Sequence, residues 1–120
     1  MDEKIRDSIL DLLCETYRYS SLMFKMTKFA VEIQPSNGKR VNGAFNRINK
    51  KILEIQDTLG VEIITLSGLY QPELPVTPLN IDDFEVDDKL VIDEMIEPVI
   101  KEQGSSKVLR MGKVMLKKII

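Results

Sequence analysis

With 120 residues, 43% of them hydrophobic, the chain can fold as one domain or as a helical part and a small β part, and it is too apolar for disorder. Its 17 basic and 19 acidic residues leave a formal net charge of −2, which gives no global attraction for nucleic acid. Histidine is absent and cysteine is single (Cys14), which removes the commonest general base, most zinc ligand sets and any internal disulfide.

Residues Asp2 to about Ile33 contain no glycine or proline. Ile5, Ile9, Leu12, Leu13, Tyr17, Met23, Phe24, Met26, Ala30 and Ile33 suit one broad face of a single long helix. Asp2 and Glu3 at its start and Lys25 and Lys28 toward its other end complement the helix dipole, which favours such charges by about 0.3–1 kcal/mol each. Thr16, Ser20 and Ser21 interrupt the stripe and mark either a bend or a polar layer. Gln34-Pro35-Ser36-Asn37-Gly38-Lys39-Arg40 then reads as a turn: Pro35 discourages helix at Gln34, and Asn37-Gly38 readily takes positive φ. A connection of that length predicts an antiparallel helix pair.

The second helix, Val41 to Leu59, carries the clearest pattern. Val41, Phe45, Ile48, Ile52, Ile55 and Leu59 are spaced four, three, four, three and four, which keeps them in one stripe on a helix about 28 Å long. Gly60 stands where a left-handed residue would end it. One neighbouring helix covers only half of such a stripe. A homodimer forming a four-helix bundle, with those six residues at its interface, is the economical way to bury it; the β part covering it within one chain is the alternative.

After Gly60 the periodicity changes. Val61 to Leu66 is rich in β-branched residues, and Pro72, Pro75 and Pro78 keep the rest of an extended connector, 61–80, out of helix and out of central strands. Ile81 to Asp88 is acidic, with Asp82, Asp83, Glu85, Asp87 and Asp88 around Phe84 and Val86. A calcium loop needs other spacing and a central glycine, so a solvated loop is predicted and no metal. Lys89 to Ile100 reads as a strand, with Pro98 tolerable only near an end or edge, and Gly104-Ser105-Ser106 turns the chain. Lys107 to Lys118 reads as two short strands broken at Gly112. It carries Lys107, Arg110, Lys113, Lys117 and Lys118 and no acid, as a lysine-protected edge beside the acidic strand or as a basic face for an acidic partner. Strand alternation would put Asp93 and Glu97 on one side and Glu94 on the other, but a solvated edge explains them better than acid catalysis, and no enzyme is predicted. The fold class expected is therefore α+β, a helical dimerisation region over 1–60 followed by a small β-domain over 61–120.

The order of these parts resembles the C-terminal two-thirds of GrpE-family nucleotide exchange factors, the cochaperones of DnaK-type chaperones. Three stretches carry the resemblance: Leu59-Gly60-Val61-Glu62-Ile63-Ile64; Gly68-Leu69-Tyr70-Gln71-Pro72, where the family has Gly-x-x-Phe-Asp-Pro; and Lys107-Val108-Leu109-Arg110-Met111-Gly112-Lys113-Val114, similar to the family's closing Arg-x-leucine/isoleucine-Arg-Pro-Ala-x-Val. The resemblance implies a homodimer whose β-domain opens the ATPase domain of a DnaK-type chaperone and releases ADP, with no catalytic side chain and no cofactor. By position it implies partner contacts at Met95, Lys107, Arg110 and Leu116. The family's His-Glu-Ala after the Asp-Pro is missing here, and Met111-Gly112 replaces its Pro-Ala. Its long N-terminal stalk helix is absent or reduced to the first turns of helix one. The alternative is a homodimeric scaffold of the same fold without exchange activity. No run near 20 apolar residues and no basic-then-apolar leader is present, so the chain is expected in the cytoplasm with no membrane or nucleic-acid partner.

Overall fold

The computed structural model describes residues 2–119. The chain has an α+β fold in two compact units, Met1–Gly60 and Val61–Ile120.

The first unit is a helical hairpin. Helix α1 (Glu3–Ile33) begins at Asp2, whose carboxylate accepts from the Lys4 amide at 2.9 Å, and runs unbroken through Thr16, Ser20 and Ser21. Helix α2 (Asn37–Leu59) ends at Gly60, whose φ of 66° and ψ of 36° are the left-handed geometry that glycine adopts without a Cβ penalty. The connection is shorter than the predicted seven residues. Only Gln34, Pro35 and Ser36 lie between the helices, closed by hydrogen bonds from the Asn37 amide to the Gln34 carbonyl (3.0 Å) and from the Gly38 amide to that of Pro35 (3.1 Å). Asn37 and Gly38 are helical, not left-handed. The Asn37 side chain donates to the Ala30 carbonyl across the hairpin at 3.3 Å, and a Cβ on Gly38 would meet Val31 at 3.8 Å, so both residues serve helix contact rather than the turn.

The second unit holds a three-stranded and a four-stranded sheet. Strands β1 (Val61–Ile64), β5 (Val99–Glu102) and β6 (Val108–Arg110) form the first, in order β1-β5-β6, all antiparallel. Strands β2 (Gly68–Leu69), β4 (Leu90–Glu97), β7 (Gly112–Lys118) and β3 (Val76–Pro78) form the second, in order β2-β4-β7-β3, with β3 parallel to β7 and the rest antiparallel. Three segments of the 61–80 connector are thus strands, and the proline-bearing β3 sits at a sheet edge, where a missing amide does least harm.

The single strand expected over Lys89 to Ile100 is two strands in different sheets. Pro98, lacking an amide for the ladder, is where the chain leaves the four-stranded sheet for the three-stranded one. It returns at Met111, one residue before the break expected at Gly112. Gly112 is where backbones approach: a Cβ there would lie 2.7 Å from Met95 Cε, 3.0 Å from the Glu97 carbonyl oxygen and 3.2 Å from a Val99 methyl. Around this corner Val61, Val76, Leu90, Met95, Val99, Ile100, Val114 and Leu116 are buried and make the core.

Candidate partner-binding surfaces

On the hairpin, Phe24 and Phe45 meet edge to face with centroids 5.8 Å apart, tying α1 to α2. The two flanks of the seam differ. Along one, Tyr17, Ser20 and Ser21 of α1 line a cleft with Asn42, Asn46 and Asn49 of α2, so the interruption in the α1 stripe is a polar layer in a continuous helix. Along the other, Leu12 and Leu13 line an apolar groove with Ile48, Ile52 and Ile55, bordered by Arg47 and Lys51.

The six residues assigned to a dimer interface, Val41, Phe45, Ile48, Ile52, Ile55 and Leu59, are all half-buried, and α2 has no buried residue at all. One helix covers half a stripe, and half is what the hairpin covers. On α1 the broad face predicted from the sequence divides in two. Leu13 is buried, Ile9, Tyr17 and Ala30 are half-buried, and Phe24 stays exposed although it meets Phe45; Ile5, Leu12, Met23, Met26 and Ile33 are exposed, and so are Tyr19, Leu22 and Phe29 outside the predicted face, Met26 and Phe29 to 69%. Among the exposed residues Leu12, Tyr19, Leu22, Met26, Phe29 and Ile33 are spaced seven, three, four, three and four. At about 100° per residue this set makes a second stripe roughly 150° around α1 from the first, and of its members Leu12 alone lines the apolar groove. Tyr19, Leu22 and Phe29 went unread because they were not on the single face assumed; testing the sequence for two heptad registers would have found them.

In the β unit the residues carried over from the family part company. Leu116 and Met95, 3% and 8% exposed, are core side chains and cannot contact a partner without unfolding the sheet. Leu116 is also held through its backbone. Asn80 donates from Nδ2 to the Leu116 carbonyl and accepts at Oδ1 from its amide, both at 2.9 Å, continuing the β3 ladder with a side chain. Lys107 is exposed, its ammonium 3.9 Å from Glu102 Oε1, and Arg110 is half-buried and donates to the Leu109 carbonyl at 3.0 Å.

In comparisons with known proteins, no family model, no curated protein and no solved structure matches this chain.

Strand β7 is an inner strand rather than the expected edge, and the acidic strand beside it is β4. Its lysines are matched to acids: Lys113 to Glu97 at 3.2 Å, Lys117 to Asp93 at 3.5 Å and Lys118 to Asp88 at 3.0 Å. Asp88 titrates below the usual carboxylate range, first because it accepts from the Glu85 amide and then because of Lys118. Register shifts between Ile92 and Glu94 and between Met95 and Glu97 break the alternation of β4, so Glu97 is buried while Asp93 is exposed. The two carboxylates do not share the environment that the sequence pattern predicted. Among the described residues no helix is long and apolar enough to cross a membrane.

Proposed function

We propose that the chain is a GrpE-like cochaperone that acts as a homodimer, binds the ATPase domain of a DnaK-type chaperone and promotes ADP release. The observation that carries the dimer is the exposed heptad stripe on α1, left bare beside the half-covered stripe of α2 that the hairpin also leaves unfinished. A second hairpin packed on the α1 stripe would bury it and leave the polar flank in water. Exchange rests on the resemblance of the three motifs and on the order of parts. Its mechanism is differential affinity: a partner that binds the open ATPase cleft better than the closed one shifts the population toward open and lets nucleotide leave, by no more than that difference in binding free energy. Lys107 and Arg110 are the residues of the inferred contact set that remain accessible to a partner.

The test is the release rate of a fluorescent ADP analogue from a DnaK-type chaperone of the same source, with this protein titrated in and its mass measured in parallel. Saturable acceleration by a species of two chains is the expected result. A second reading, a dimeric scaffold without exchange activity, gains support from the pairing of Lys113, Lys117 and Lys118 with acids of the same unit, which leaves little unspent positive charge for a chaperone. A dimer that binds the chaperone and leaves release unchanged would select it.

A further inference from the structure

The charges of the β unit are distributed in two ways. On β4 and β7 they are paired, as described. In the loop ahead of β4, the carboxylates of Asp82, Asp83, Glu85 and Asp87 have no cationic partner among the described residues, although they crowd into six positions. Like charges so placed repel one another, and water and salt screen them only partly. The same loop presents apolar side chains to solvent: Val86 is fully exposed, and Ile81 is exposed beside half-buried Phe84. Across from them, exposed Leu69 and half-buried Tyr70 follow β2, and the two segments enclose a groove of about 790 Å³ within the β unit. Lys89 is its one lining cation, and Asp88 is already matched to Lys118. The loop is not loose chain: the Ile81–Asp83 turn, the Glu85 amide bond to Asp88 and the Lys118 ion pair hold it against the sheet.

The geometry points to a docking groove for a basic peptide segment with apolar side chains between its cations, as on an extended stretch or terminal tail of a partner protein. The apolar side chains would occupy the space between Leu69 and Val86 and be desolvated there, and lysine or arginine on either side would reach Asp82 and Glu85 at the rim. Apolar contact supplies affinity, and the unpaired carboxylates supply direction and selectivity against acidic segments. This interaction is separate from the proposed exchange activity, and either can fail without the other.

The experiment uses the full chain and a fluorescein-labelled heptapeptide alternating lysine with leucine, read by anisotropy at low salt, with a lysine–serine and a glutamate–leucine heptapeptide beside it. The expected result is saturable binding of the lysine–leucine peptide alone, weakened by added salt, with amide shifts confined to residues 69–72 and 81–90. Asp82→Lys with Glu85→Lys should lower affinity by about tenfold or more, as reversal of two contacting charges does, and Asp82→Asn with Glu85→Gln should fall between. Leu69→Ser with Val86→Ser should weaken binding while keeping its salt dependence. All four residues are exposed, so circular dichroism of each variant should match the parent. Equal binding of the lysine–serine peptide would reduce the effect to bulk charge and overturn the groove. Undiminished binding by the charge-reversed chain, or amide shifts on the hairpin instead, would overturn it as well.

Discussion

The two units are the same length and spend their apolar residues differently. Among the described residues the hairpin buries Leu10, Leu13 and Cys14 alone, while large side chains from Ile5 to Ile33 stand in solvent; the β unit buries eight hydrophobic side chains, together with Pro98 and most of Glu97. The β unit closes on itself because its chain passes between its two sheets three times within sixty residues and gathers one core around the corner at Pro98 and Gly112. Two helices have no such closure. Each presents a stripe wider than its neighbour can cover, so the hairpin is a finished set of elements with an unfinished core.

That contrast predicts that similar substitutions do different things in the two units. The largest effect is expected from Met26→Asp with Phe29→Asp, which puts two charges into the proposed interface and should halve the mass by light scattering while the β unit's amide spectrum stays unchanged. An unaltered dimer would move the interface off this stripe, and Ile48→Asp or Ile52→Asp would then test the flank formed by α2. Next is Ile100→Ala, at a position with no exposed surface, expected to cost about 2–5 kcal/mol in urea unfolding of the β unit without changing the mass. Gly112→Ala should follow at about 1–3 kcal/mol, because the Met95 methyl can yield but the Glu97 carbonyl and Val99 cannot both do so. Wild-type stability in that variant would show the corner to be softer than its distances imply.

The smallest effect is electrostatic. The pKa of Asp88 is lower in the folded protein than in the unfolded chain, so the native state binds fewer protons there. Its contribution is present above the ordinary carboxylate range, near pH 4–5, and is lost as pH falls through the folded value. Asp88→Asn should therefore lower the urea midpoint slightly at pH 7, and the gap from the parent should close in acid. A gap independent of pH would assign the effect to the Glu85 hydrogen bond geometry instead.

The helices were legible because their causes are local. Spacing of apolar residues, the acidic start at Asp2 and Glu3 and the glycine stop at Gly60 act within a few turns, and α1 and α2 lie where those signals put them apart from the early start of α2. The shortened turn was misread because Asn37-Gly38 has a strong propensity for positive φ, which contact with Ala30 and Val31 overrode. In the β unit the extended stretches around β1, β4, β6 and β7 were legible, but β2 and β3 lie in the expected connector, and the company of the strands was not legible. Nothing near Pro98 in the chain says that the strands on its two sides belong to different sheets. Nothing near Met95 says that it faces inward, because the bulges in β4 shift the alternation from which facing is read, whereas Leu116 follows the regular alternation of Gly112, Val114 and Leu116 with Lys113, Met115 and Lys117 and was placed at a partner surface only by the family resemblance. The acid and base content of β4 and β7 did foretell their pairing, since opposite charges on neighbouring strands attract in almost any register.

Residue order by itself determined two amphipathic helices joined by a tight turn, a β unit built of short strands, an acidic loop and a basic closing segment, each set by interactions over a few residues. Only the tertiary structure decided which of the apolar positions of α1 are covered and that β7 lies inside its sheet. It likewise decided that the closing lysines are spent within the unit while the carboxylates of Asp82, Asp83, Glu85 and Asp87 are not. Those outcomes depend on which surfaces meet, and burial and charge pairing belong to pairs of distant residues rather than to any one stretch of chain.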